Sequence, residues 1–528
     1  MFGIPTIPVV RTTLTSTASS VTLTYSSPGG TPRHLILRTS TIATSGNPNV
    51  FIRLNGDSGS NYNAQVLHGY STTTAAWAGT SNSSLQILGN IDDLSNAHSV
   101  SETLFPDAFS TRTHKSALCI SGRHEEVVNA GGGRWENTSA ITSVEVFVDS
   151  STFTAGSIFE LAVVDEAYVI DETILTGAAD FDHGSISAAD GDLLLIGNLR
   201  GDVDPSQIEE VALRFNGDTG GNYIRQRLRA NNGTNIAAYA STSPVVAHSA
   251  ATDADANSFS GLIVQIPNFS DGSNDRNALT LGGGHFSDSD QIVGIYNTRW
   301  NDTSAINRVE VYGLNKAEFV ANSMLSIYVV PKNLITRTEL GSDTSSVTFS
   351  SIPASYDHLE VTVYARTTRD AINDVVNMTF NTDTTASNYN HQELQAAGTT
   401  MSANTDAANV RIGVYPSGTE GANEFGVGTT TIYNYKMTDR HKSRLTVMGS
   451  TERVLMYSRR WEDTSAINQI VLTPNAGTNF LAGSVFSLRG ITASTSDIAE
   501  LNTIATADIQ AFNGITVANA QELNGVTF

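Results

Sequence analysis

Short runs in which apolar and polar residues alternate recur along the whole chain. Val144-Glu145-Val146-Phe147-Val148, Val309-Glu310-Val311-Tyr312 and Ile470-Val471-Leu472 are three of them, and His358-Leu359-Glu360-Val361-Thr362-Val363 and Ser346-Val347-Thr348-Phe349 read the same way. A period of two marks a half-buried strand. Clusters of Gly, Asn, Ser and Thr separate the runs, as turns between antiparallel strands require. The pattern predicts an all-β protein of antiparallel β-sandwich or jelly-roll domains.

The pattern is also triplicated. Arg134-Trp135-Glu136-Asn137-Thr138-Ser139-Ala140-Ile141 returns as Arg299-Trp300-Asn301-Asp302-Thr303-Ser304-Ala305-Ile306 and as Arg460-Trp461-Glu462-Asp463-Thr464-Ser465-Ala466-Ile467, with tryptophans 165 and 161 residues apart. A second block precedes each: Leu54-Asn55-Gly56-Asp57-Ser58 with Asn61-Tyr62, Phe215-Asn216-Gly217-Asp218-Thr219 with Asn222-Tyr223, and Phe380-Asn381-Thr382-Asp383-Thr384 with Asn388-Tyr389. The first Asn lies 80, 84 and 80 residues before its Trp. Each copy closes on a strand-like run 22 or 23 residues after Trp, at Ser157, Ser323 and Ser484. Two motifs in fixed order and spacing define three tandem domains. Their limits fall at 1–165, 166–331 and 332–490, with Pro331 at the second junction, and residues 491–528 form a separate C-terminal segment. Linkers this short predict domains that pack on one another.

Composition narrows the function. Of 528 residues only 16% are charged and 40% are apolar, and the net charge is −22. Such a surface argues against nucleic acid and anionic membranes as partners, because both need clustered Lys and Arg. The one cysteine, Cys119, sits in an apolar run and reads as a core residue, so folding needs no oxidising compartment. Met1-Phe2-Gly3-Ile4-Pro5 has no basic start or long apolar stretch, so it does not read as a signal peptide. No window approaches the length of a membrane-spanning helix.

Candidate chemistry is sparse. The Asn-x-Asp blocks offer oxygen ligands at close spacing, as calcium loops do, but lack a terminal acidic ligand. They read better as Asx-type connections, with Gly56 and Gly217 at positive φ and Tyr62, Tyr223 and Tyr389 anchoring the loops. Asp253-Ala254-Asp255-Ala256-Asn257 begins like a calcium loop and lacks the Gly and Glu that would complete it. Trp135, Trp300 and Trp461 are expected as core anchors, each with its arginine paired to an acidic neighbour such as Glu136 or Asp463. Trp77 lies in a Thr/Ala-rich stretch that reads as a loop with a surface contact. Gly131-Gly132-Gly133 and Gly282-Gly283-Gly284 read as flexible connections between strands. The eleven histidines form no metal motif and no nucleophile elbow is present, so no catalytic residue, metal or cofactor is expected. A pair of carboxylates for glycoside cleavage would converge only in the fold.

The C-terminal segment carries an 11-residue repeat: Asp497-Ile498 with Leu501 and Ile504, Asp508-Ile509 with Phe512 and Ile515, then Leu523 and Val526. Asn-Gly pairs punctuate it, so short capped helical turns are expected rather than one helix. Its recurrent apolar residues predict docking on another protein or another copy of the chain.

The string Phe349-Ser350-Ser351-Ile352-Pro353-Ala354-Ser355-Tyr356-Asp357-His358-Leu359, the Phe215–Tyr223 block and the Arg-Trp-x-x-Thr-Ser-Ala-Ile block resemble a domain of virion structural proteins from tailed bacteriophages. The third copy adds Ile432-Tyr433-Asn434-Tyr435, Lys442 and the ending Gly483–Ile491, where Arg489 stands in place of the family's Tyr; the second copy lacks both the Ile-Pro opening and the Lys. The resemblance implies a non-enzymatic particle component, a tail fibre or appendage protein in first place. A capsid decoration protein and a host-glycan-binding adhesin are the alternatives. It would assemble in the host cytoplasm, reside in the virion, contact other virion proteins, and form a homo-oligomer, with a trimer as the first choice by analogy with phage fibres. A monomer whose three domains present a pseudo-threefold surface is the other option.

Overall fold

A computed structural model describes residues 3–25, 33–187, 191–287, 290–314, 318–331 and 334–491. The C-terminal residues Ile498, Leu501, Ile504, Ile509, Phe512, Ile515, Leu523 and Val526 lie outside these.

The described residues form six antiparallel sheets, one of eight strands and one of four in each copy. In the first copy the large sheet runs, edge to edge, Thr6–Thr13, Ile158–Val164, Leu35–Thr41, Ser99–Phe105, Lys115–Arg123, Val127–Trp135, Tyr62–Tyr70 and Thr73–Asn82. The small sheet runs Ser20–Thr24, Ser143–Val148, Val50–Leu54 and Leu85–Leu88. Both orders recur, strand for strand, in the second and third copies. Described helix is confined to two single 3-10 turns, Glu166–Tyr168 and Ala386–Asn388.

Each copy is a sandwich, with its own core between the two sheets. In the first copy Leu35, Leu37, Ile52, Leu54, Val144, Val146 and Trp135 fill it. The opposite face of each large sheet is buried too, in one cluster shared by all three copies: Leu67, Leu118 and Ile120 meet Leu228, Ile263 and Ile295, and Leu394, Val447 and Met456. The large sheets are therefore covered on both sides, and the small sheets face solvent on one.

This arrangement explains the alternation. Strands of the small sheets show it, as in Ser143–Val148 and Val309–Gly313, because one face is wet. Strands of the large sheets, such as Leu35–Thr41 and Ser260–Ile266, are buried at every position; so is His358–Ala365, whose alternation reads as half-buried but whose polar face, with Glu360 and Thr362, is covered as well. Several of their polar residues bond within the sheet or across to the next copy, as Arg38 does to Glu102 and Ser116 to Asn198.

Two expectations are corrected here. Gly131–Gly133 and Gly282–Gly284 are not connections; they lie inside the strands Val127–Trp135 and Arg276–Ser287. Their crowding is mostly within the copy: a Cβ on Gly133 would stand 2.5 Å from Leu85 and one on Gly282 2.8 Å from Ala247, while one on Gly132 would make an ordinary 3.5 Å contact with Gly283 and Gly284 of the next copy. Trp77 is not in a loop either. It sits in the strand Thr73–Asn82, whose small Thr and Ala residues suit an edge pressed against its hairpin partner.

Candidate functional site

The two repeated blocks interlock, and the chemistry is the same in each copy. Asn55 and Gly56 adopt φ 53° and 69°, turning the chain so that Asp57 Oδ1 accepts from Gly59 N–H at 2.8 Å. Asp57 Oδ2 accepts from Asn61 Nδ2 at 2.9 Å and from the Trp135 indole N–H at 2.7 Å. The same indole bond joins Trp300 to Asp218 at 2.7 Å and Trp461 to Asp383 at 2.8 Å. These bonds hold the carboxyls of Asp218 and Asp57 below their ordinary range; in Asp57 they outweigh the opposing effect of burial. The tyrosine hydroxyl reaches back to the turn: Tyr62 Oη accepts from Leu54 N–H, Tyr223 Oη from Phe215 N–H and Tyr389 Oη from Phe380 N–H, at 2.8–2.9 Å. Asn55, Asn216 and Asn381 each donate to the carbonyl of the block alanine, Ala140, Ala305 or Ala466. The three tryptophans are 2%, 2% and 1% exposed. The carboxylates of Asp57, Asp218 and Asp383 and the side-chain oxygens of Asn55, Asn216 and Asn381 are thus engaged in folding the loop or seating the Trp.

A buried cation completes the lock. Lys115 Nζ donates to the Thr138 carbonyl at 3.1 Å and Lys442 Nζ to the Thr464 carbonyl at 2.9 Å. Arg276 occupies that register position in the second copy and donates to the Thr303 carbonyl. Burial pulls both lysines down to about 8.

The arginine of each Arg-Trp pair serves partly as expected. Arg134 pairs with Glu136, but Arg460 pairs with Glu462, not Asp463, because alternate residues share a strand face. Two of the three also cross between copies: Arg134 to Asp255 at 2.7 Å and Arg299 to Glu424 at 3.0 Å. Asp255 thus spends its carboxylate on a junction of two domains.

The copies close into a ring. Gln65 donates to and accepts from Gly233 of the second copy, both at 2.9 Å. Gln226 donates to Gly398 of the third copy, and Gln392 donates to Ser71 of the first, each at 2.8 Å. Each glutamine stands three residues after its block tyrosine, and Leu67, Leu228 and Leu394 follow two residues later in the shared cluster. The strands carrying them touch one another pairwise, so they line the pseudo-threefold axis. The signal Tyr-x-x-Gln-x-Leu is present in all three copies and was missed by a reading that stopped at the tyrosine.

The ring is symmetric in frame but not in filling. At one end of each sandwich, between the hairpin of the large sheet and the edge of the small one, lies a mouth. The residue four before each block Trp is Gly131, Tyr296 or Tyr457. In the second copy Tyr296 Oη meets His248 Nδ1 at 2.9 Å, and Arg227 lies 4.9 Å over the Tyr239 ring. In the third, Arg459 lies 4.0 Å over the Tyr457 ring and Glu393 pairs with Arg411 at 3.4 Å. In the first, no such side chains intrude. A cavity of about 280 Å³ opens there, lined by Asn49, His68, Tyr70, Trp77, Gln86 and Asn129, among others.

The fold thus defines a protein of three antiparallel β-sandwich domains closed into a pseudo-threefold ring. No family model and no curated protein matches the chain. Among solved structures, the LG1-3 region of the laminin alpha2 chain aligns at 7% identity over 90% of this chain and 96% of that one, with a TM-score of 0.15. Domains LG4-5 of the mouse laminin alpha1 chain align at 10% identity over 62% and 97%, at 0.14. A mutant of the GH43 protein BlXynB from Bacillus licheniformis aligns at 10% over 86% and 100%, at 0.17. Superpositions this poor carry no argument about function.

Proposed function

We propose that the chain is a non-enzymatic structural component of a bacteriophage particle, a tail fibre or appendage protein mounted through its C-terminal repeat on other virion proteins. The observation that carries this reading is the closed ring of Gln65–Gly233, Gln226–Gly398 and Gln392–Ser71. It makes from one chain the kind of body that a homotrimer makes from three, and such a body fits a threefold mount. The resemblance of the repeated blocks to virion domains supplies the particle. The same ring supports a second reading as a capsid decoration protein, since a threefold mount exists on a capsid surface as well as on a fibre.

Immunogold labelling of intact particles separates the two: label on the tail favours the first, label over the head the second, and no label removes both. A chain ending at Ile491 is expected to keep its melting temperature yet no longer enter particles. Incorporation of that shortened chain at the full level would show that the C-terminal repeat is not the attachment element. The apolar side chains Ile498, Leu501, Ile504, Ile509, Phe512, Ile515, Leu523 and Val526 each contribute on the order of 1.5–3 kcal/mol if fully buried on a partner, before ordering costs.

A further inference from the structure

The mouth of the first domain is the place where the triplicated frame departs from itself. One lining position, Gly89, and two positions in the narrow gap that adjoins it, Gly131 and Val66, carry small residues where a sister copy carries a large one. Gly131 corresponds to Tyr296 and Tyr457 at the equivalent register. Val66 corresponds to Arg227 and Glu393, four residues after each block tyrosine. Gly89, opposite Asn49 in the small sheet, corresponds to His248, opposite Glu210. The second copy carries guanidinium, imidazole and phenol groups at these positions, and the first carries none of them, with a cavity beside Gly89.

What lines the opening sets the chemistry of its occupant. Trp77 is the one partly exposed tryptophan, and Tyr70, four register positions along the same hairpin, is 41% exposed. Two aromatic faces in a shallow pocket favour a ring with apolar C–H faces. Around them stand the amides of Asn49, Gln86, Asn90 and Asn129. Gln86 Nε2 donates to Asn49 Oδ1 at 3.3 Å and Asn129 Nδ2 to Ser121 Oγ at 3.2 Å. Those bonds orient the amides and leave the Gln86 and Asn129 oxygens without a bond to any described residue. An amide both donates and accepts, as a hydroxyl does. Burial lowers the His68 pKa, so the imidazole is neutral at pH 7 and also offers one donor and one acceptor. No carboxylate or guanidinium is among the described lining residues. The volume suits one ring rather than an extended ligand, being at the lower limit of small-molecule pockets, roughly 300 Å³.

From this geometry we propose that the first-domain mouth binds one uncharged sugar ring, a neutral hexose or N-acetylhexosamine, stacked on Trp77 and hydrogen-bonded by the surrounding amides. One such site exists per ring, and it is independent of the particle assignment.

The test is a titration of the full chain with the methyl glycosides of glucose, galactose, mannose and N-acetylglucosamine, and with free sialic and glucuronic acids as charged controls. Because the other three tryptophans are buried away from the mouth, a ligand-induced change in intrinsic fluorescence reports Trp77, and calorimetry gives an independent isotherm. A neutral glycoside should give a saturable signal by both methods. Asn129→Leu, which installs the residue the third copy carries there (Leu455), should weaken binding at least about tenfold with an unchanged melting temperature. Trp77→Ala should abolish the calorimetric signal. The proposal falls if no neutral glycoside binds saturably, if both variants bind as the parent does, or if only the charged sugars bind.

Discussion

Asp57, Asp218 and Asp383 each divide a carboxylate between a turn and an indole, and this division makes the loop and the core anchor one unit. Trp300→Ala removes the ring from the second sandwich core and leaves Asp218 Oδ2 with its Asn222 bond alone; a loss of about 3–5 kcal/mol in denaturant unfolding is expected. A variant that unfolds like the parent would place the ring outside the core. The motifs were legible in the sequence because they repeat, but the bond between them was not, since it spans 78 residues in the first copy. The histidines carry a second consequence. Burial pushes His34, His98 and His285 down to about 3, His114 to about 4 and His391 to about 2. Unfolded, each would take a proton near pH 6.5, so between that pH and about 3 these side chains bind more protons in the unfolded chain than in the folded one. The histidine contribution to stability is therefore complete above pH 6.5 and declines as the pH falls; substituting His98 and His285 by Gln should flatten the fall of melting temperature between pH 6.5 and about 4, and an unchanged slope would contradict this.

At the level of strands and sheets, the sequence disclosed the small sheets better than the large ones. Alternation was visible wherever one face meets water, as in Val144–Val148. It was absent in strands such as Lys115–Arg123, where Leu118 and Ile120 serve the ring and Ala117 and Cys119 serve the sandwich. For the same reason the glycine runs looked like connections: nothing local distinguishes a glycine that turns from one that makes room. Gly122 makes room, facing the Ser458 side chain of the third copy. Gly122→Ala is expected to cost about 1–3 kcal/mol, the range for overpacking, whereas Gly177→Ala, which meets open space, should be neutral. Thermal melts of the two variants side by side check the contrast. The Trp77 mouth escaped the sequence for a related reason: its distinctive feature is what its lining residues lack relative to the other two copies.

For the molecule as a whole, three junctions with different chemistry fix the order of the domains around the axis. Arg38 sits between Glu102 and Glu160 at 3.0 and 2.8 Å, and Tyr433 of the third domain reaches Glu102 at 3.3 Å. Ser116 joins Asn198 at the first junction, and Thr429 joins Gln265 at the second. Because the shared apolar face is already covered within one chain, a protein ending at Ile491 is expected to sediment with the mass of a single chain. A trimer of that shortened chain would mean that another surface drives association. A third domain made alone, residues 332–491, would expose Leu394, Val427, Leu445 and Met456 and is expected to self-associate in light scattering.

Fusion also changes what a mutation can do. In a ring of three identical chains any substitution is made three times at once, and a change useful at one position must be tolerated at the other two. Here each position of the ring is encoded separately. The mouth could open in the first domain while Tyr296 and Tyr457 kept it filled in the others, so the axis, which needs Gln and Leu in every copy, stays under a common constraint. The three mouths are free to become three different surfaces on a single body.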